Sequence, residues 1–87
     1  MGSEEYINDL LNDNKSDFAM IYSFREKVKA KERDLISLCK SCVTEHDMLE
    51  VFSCCLEVIR YYSLIRLTYE DINSRLDEIK ELRHGTE

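Results

Sequence analysis

The stretch MLEVFSCCLEVIRYYSLIRL, running from Met48 to Leu67, decides the fold. Fourteen of its twenty residues are apolar. The other six are Glu50, Ser53, Glu57, Arg60, Ser63 and Arg66. They recur every three or four residues, which on a helix gathers them into one narrow polar stripe. A helix that is apolar around the rest of its circumference must be covered by more than one neighbour.

The pattern continues past Leu67. Val51, Val58, Ile65, Ile72 and Ile79 keep one seven-residue phase, and Cys55, Tyr62, Tyr69 and Leu76 keep a companion phase four residues later. Thr68-Tyr69-Glu70-Asp71 resembles a helix cap, but a break there would reset the phase. One helix over about 45–84 is therefore expected, with Gly85 placed as a C-terminal cap after Lys80, Arg83 and His84, and with the last two residues fraying.

Upstream, Thr44-Glu45-His46-Asp47 reads as a capping box with Asp in place of Glu. Before it, Ile21, Val28, Leu35 and Cys42 recur at sevens, with Phe24 and Leu38 between them and Lys31 interrupting the seam. This predicts a helix over about 17–42. Asn12-Asp13-Asn14-Lys15-Ser16 is a run of turn-favouring residues. It predicts a break and a separate short helix over about 3–12, capped by Ser3 and apolar through Tyr6, Ile7, Leu10 and Leu11.

Forty residues of helix span about 60 Å, so the last helix overhangs the middle one by roughly ten to fifteen residues, about the length of the first. The expected fold is all-α: a long antiparallel hairpin with a short N-terminal helix. Facing positions add to about 87 in sequence number, which sets Leu35 near Phe52, Val28 near Ile59, Ile21 near Arg66 and Leu11 near Leu76. Two arms leave part of the 48–67 helix uncovered, so the hairpin is expected to dimerise into a four-helix bundle or coiled-coil-like assembly.

Composition narrows the function classes. The 87-residue chain is 44% apolar and 34% charged, has no Pro or Trp, and has glycine only at Gly2 and Gly85. That is one helical domain and not a turn-rich β fold. A net charge of -6 and a pI near 4.9 disfavour nucleic acid and anionic membranes as partners. Glu50, Glu57, Arg60 and Arg66 interrupt the apolar stretch too often for a membrane span. No apolar leader opens the sequence, and Cys39, Cys42, Cys54 and Cys55 fall in helical patterns. Both features fit reduced thiols in an intracellular, cytoplasmic or nuclear protein.

Chemistry-bearing residues are sparse. Zinc needs four ligands around one point, whereas Cys42 at the turn lies on the order of 15 Å along the axis from Cys54, and Cys54 and Cys55 diverge by about 100°. The four thiols read as small hydrophobes. Glu81-Leu82-Arg83-His84 has the Glu-x-x-His spacing of helical metal bundles, and with Glu78 it offers an alternative reading as a small metal-dependent enzyme or metal-binding bundle. The apolar stretch supplies no inward carboxylates to complete such a centre. Arg25, Lys27, Lys29, Lys31, Arg33 and Lys40 make the middle helix locally basic, but interleaved acids suit a solvated face. Tyr61, Tyr62 and Tyr69 read as core or interface aromatics.

The sequence thus predicts a non-enzymatic helical interaction module. It uses no cofactor, metal or small-molecule substrate and pairs as a homodimer or with a helical protein partner. The expected interface is Val51, Phe52, Cys55, Val58, Ile59, Tyr62, Ile65, Tyr69 and Ile72.

Overall fold

The computed structural model describes residues 2–85, which form two long helices, α1 (Gly2–Lys40) and α2 (Glu45–Gly85). They run antiparallel in a rod of 66 × 15 × 13 Å. Phe18 against Tyr69 lies on the predicted register. Tyr6 against Glu78 and Cys54 against the Lys31 carbonyl lie within a helical turn of it.

The turn is fixed by the predicted capping box. The Asp47 backbone N–H donates to Thr44 Oγ1 at 3.1 Å, and Asp47 Oδ2 accepts the N–H groups of Val43 and Thr44, both at 3.0 Å. The backbone N–H donors of Val43 and Thr44 hold the Asp47 carboxyl below the ordinary carboxylate range. At the other side of the turn, α1 closes when the Ser41 N–H and hydroxyl both donate to the Ser37 carbonyl at 3.2 Å. α1 ends at Lys40, two residues before the expected Cys42. Among the described residues no backbone adopts positive φ, so the turn forms without glycine. Gly85 is likewise the last helical residue and not a left-handed cap. The fraying expected at 86–87 falls outside the described residues.

The predicted break at 12–16 is absent, and no separate short helix exists: α1 runs unbroken through it. The seven-residue phase of Ile21 and Val28 extends backwards through Asn14 to Ile7, with Leu10 and Asp17 in the companion phase. Asn14 is only 5% exposed, and its Oδ1 accepts a bond from Arg75 at 3.3 Å. Arg75 also pairs with Asp17. Asn and Asp disrupt helices when their side chains compete for nearby backbone groups, and here Arg75 across the seam occupies both. Helix propensity disfavours the five residues Asn12–Ser16 by up to about 0.7 kcal/mol each. Burying Ile7 and Leu10 against Ile79 returns about 1.5–3 kcal/mol per side chain, so packing decides the outcome.

α2 is continuous through Thr68, as the unbroken phase predicts. The Thr68 hydroxyl donates to the Leu64 carbonyl at 2.7 Å, one turn back. That bond satisfies the group that makes Thr-Tyr-Glu-Asp resemble a cap. The core has two parts. Ile21, Val28, Ile65 and Ile72 form one, with Phe24, Val58, Tyr61 and Tyr69 against it. Ile7, Leu10 and Ile79 form the other, with Leu82 alongside.

Candidate interaction surface

α2 carries two apolar seams. The inner one faces α1 and runs Val51, Cys54, Val58, Tyr61, Ile65, Thr68, Ile72, Arg75, Ile79 and Leu82, all buried or half-buried. Its second phase lies three residues after Val51. The expected companion phase, four residues after, lies instead at the flank. Cys55 and Tyr69 there are half-buried, and Tyr62 and Leu76 are exposed. The displaced phase is the more apolar of the two, which is why hydropathy favours it. The seam takes the other, which sets Arg75 against Asn14 and Asp17.

The outer seam lies about 100° further round the helix, each member one residue after an inner one. It runs Met48, Phe52, Cys55, Ile59 and Tyr62, with Leu49 and Leu56 beside it. Phe52, Ile59 and Leu49 are 63%, 59% and 63% exposed. Ile36 of α1, 57% exposed, borders the same side. The polar residues of 48–67 do not form the single stripe expected. Glu50, Ser53, Glu57 and Arg60 share one side, while Ser63 and Arg66 fall on the outer apolar face.

Of the nine residues expected at the interface, Val51, Val58, Ile65 and Ile72 lie in the inner seam. Phe52, Cys55, Ile59 and Tyr62 lie together on the outer one. Tyr69 sits at its tail end, edge-on to Phe18 with ring centroids 6.4 Å apart and accepting a 2.8 Å bond from Arg25. Met48, Leu49, Leu56 and Ile36 were missed. For Met48 the signal was a second seven-residue repeat, with Met48, Cys55 and Tyr62 in one phase and Phe52 and Ile59 in the other; Leu49 and Leu56 form a further phase beside it, and Ile36, on α1, had no such repeat to mark it.

The opposite broad side has an acidic excess, with Asp13, Asp34, Glu50, Glu57, Asp71 and Glu78 beside Lys27, Lys31 and Arg60. Lys31 bridges to Glu57 there at 2.5 Å, a contact that raises the lysine pKa above its ordinary value. Tyr6 donates to Glu78 at 2.6 Å, and that bond raises the phenol pKa. Tyr62 donates to Glu32 at 3.0 Å, with the same effect.

Other candidate sites are dispersed. Among the described residues no group of three or more His, Cys, Asp or Glu is placed to hold a metal ion. Glu78 accepts from Tyr6, while Glu81 and His84 are exposed. No disulfide joins the four cysteines: Cys54 is buried, Cys42 and Cys55 are half-buried and Cys39 is exposed. Burial raises the Cys54 thiol pKa. Tyr61 packs tilted against Phe24 with ring centroids 6.1 Å apart and Lys27 over its ring, so Tyr61 serves an internal contact. Near the termini, Leu11, Phe18 and Leu76 line a shallow groove edged by Asn8, Asn12 and Lys15. Among the described residues no helix is long and apolar enough to cross a membrane.

Comparison with protein-family models, with curated proteins and with solved structures finds no match in any of the three. The functional reading therefore stands on the geometry of the chain itself.

Proposed function

We propose that this chain is a non-enzymatic helical assembly module that associates through the outer face of α2, either with itself or as a subunit of a larger helical complex. One observation carries the reading. Met48, Leu49, Phe52, Leu56, Ile59 and Tyr62 form a continuous apolar stripe on a single helix, each at least half exposed. Scattered surface hydrophobes need no explanation, but a contiguous patch marks an interaction site. A core this small yields on the order of 3–5 kcal/mol, so association also supplies stability the hairpin lacks. The free thiols suit an intracellular setting, and the acidic broad side disfavours nucleic acid as the partner.

The test is solution mass by light scattering at micromolar concentration. The expected mass is a multiple of 10.3 kDa, falling towards the single-chain value in Ile59→Asp while the far-ultraviolet helical signal persists. A purified chain that remains single at every concentration, with Ile59→Asp indistinguishable from it in mass and melting, defeats self-association.

A further inference from the structure

We propose that the occupant of the outer face is a second copy of this chain, docked antiparallel about a two-fold axis that passes between Cys55 and Leu56 of each α2. This rests on the assembly reading above and specifies its geometry. A two-fold contact must be self-complementary, because each surface element meets its mirror in sequence order. The outer face meets that condition. Counting outwards from the Cys55–Leu56 midpoint, Phe52 is matched by Ile59, Leu49 by Tyr62, and Glu45 by Arg66. Apolar residues thus fall beside apolar ones, within a helical turn, except that Met48 meets the small Ser63, and at each end of the overlap an acid falls beside a base.

The alternatives fail on charge. A parallel arrangement sets Glu45 against Glu45 and Arg66 against Arg66. Contact through the opposite side would bury Glu50, Glu57, Arg60 and Asp71 together with the Lys31–Glu57 bridge, and the desolvation of so many charged groups disfavours association. Arg66 pairs with Glu70 only at 4.0 Å, with the two side chains 74% and 63% exposed, an ion pair weak enough to be exchanged for one across the interface. Past Arg66 the apolar stripe stops at Tyr69, which is engaged by Phe18 and Arg25, and this bounds the overlap to about residues 45–66.

The area is sufficient. The chain exposes 6752 Å², whereas a compact monomer of its mass exposes about 5,400 Å². The excess is larger than the roughly 800 Å² per partner that a standard interface buries. The axis lies about 20 Å from the turn. Two 66 Å rods that overlap through their turn halves therefore give an assembly about 90 Å long.

Three measurements test this. Arg66→Glu and Glu45→Arg should each weaken the dimer about tenfold, because each reverses two symmetry-related pairs. The double variant should restore it. A Cys39→Ser/Cys42→Ser chain, oxidised mildly by dioxygen with a copper–phenanthroline catalyst, should lose two electrons and two protons per pair of thiols and form a disulfide-linked dimer. Adding Cys55→Ser should abolish that product. Small-angle scattering should give a maximum dimension near 90 Å. A dimer that ignores the charge reversals, cross-links without Cys55, or keeps the 66 Å length overturns the antiparallel docking while leaving self-association intact. A single-chain mass at all concentrations overturns both.

Discussion

At the end that carries the termini, Ile7, Leu10, Ile21 and Val28 are buried against Ile65, Ile72 and Ile79. At the end that carries the turn, Leu35, Leu38, Val51 and Val58 occupy equivalent seam positions but are half-exposed, and Cys54 is the buried side chain. Outside the seam the relation reverses. Towards the turn, Phe52, Ile59, Leu49 and Ile36 present apolar surface to solvent, while towards the termini the same side of α2 mixes Asn73, Lys80 and Arg83 with Tyr69 and Leu76. The two halves of one hairpin thus divide the work. The terminal half is closed by isoleucines and a polar layer. The turn half is closed by its cap and by a looser seam crossed by the exposed Lys31–Glu57 bridge, and its largest apolar side chains face solvent.

The largest expected effect sharpens that division. Ile72, 2% exposed, should cost about 2–4 kcal/mol when changed to alanine. That is a large part of the roughly 3–5 kcal/mol such a small core yields, so Ile72→Ala should melt at a far lower temperature by far-ultraviolet circular dichroism. Phe52→Ala removes a larger side chain from the exposed face and should leave the dilute single chain within about 0.5 kcal/mol of the original, while lowering the associated mass. Equal destabilisation of the dilute chain by the two substitutions would erase the distinction between the halves.

A smaller contrast lies in the two cations of the seam. Arg75 has a side chain 25% exposed, beside Asp17 at 15%, and it also donates to Asn14. Arg75→Met would leave a sheltered carboxylate and amide without their donor, which is costlier than the bond itself is worth. Its urea midpoint should drop clearly. Lys31 and Glu57 are 36% and 47% exposed, so Lys31→Met returns Glu57 to water and adds an apolar residue to the seam. Its midpoint should hold or rise. If the two variants lost the same stability, the polar layer near the termini would not be the feature that fixes the register.

Much of this was legible beforehand, and the failures have a shared cause. The continuity of α2, the capping box at Thr44 and Asp47, and the hairpin register follow from local periodicity and side-chain chemistry, which the sequence displays directly. The unbroken α1 does not, because Asn12 to Ser16 speak locally for a turn. What overrides them lies sixty or more positions away: Ile79, against which Ile7 and Leu10 are buried, and Arg75, which engages Asn14 and Asp17. The same arginine lies in the inner seam of α2, which takes the less apolar of two phases, with Thr68 and Arg75 in it and Tyr62 and Leu76 outside. The phase argument that carried α2 through Thr68 was equally present in Ile7, Asn14, Ile21 and Val28, but Asn14 hid it by being polar. The outer seam was half-read. Phe52, Cys55, Ile59 and Tyr62 were found, and they were grouped with inner-seam residues because a helix apolar on two sides does not announce which side its own chain will cover.

The smallest effect concerns the turn, where the two halves of the chain are joined. Thr44→Ala removes the acceptor for the Asp47 N–H and should cost about 1 kcal/mol, without changing the associated mass if the outer face is independent of the cap. The companion experiment uses pH. The carboxyl of Asp47 is held below its ordinary range by the N–H groups of Val43 and Thr44, so folding favours its ionised form. That stabilisation is whole above the unfolded carboxylate value of about 3.9 and fades as pH falls through it towards the depressed folded value. The midpoint difference between the original chain and Asp47→Asn should therefore be constant from about pH 5 to 7 and shrink below about pH 4. A difference that grows on acidification would mean that the carboxylate is not what ties α2 to the turn.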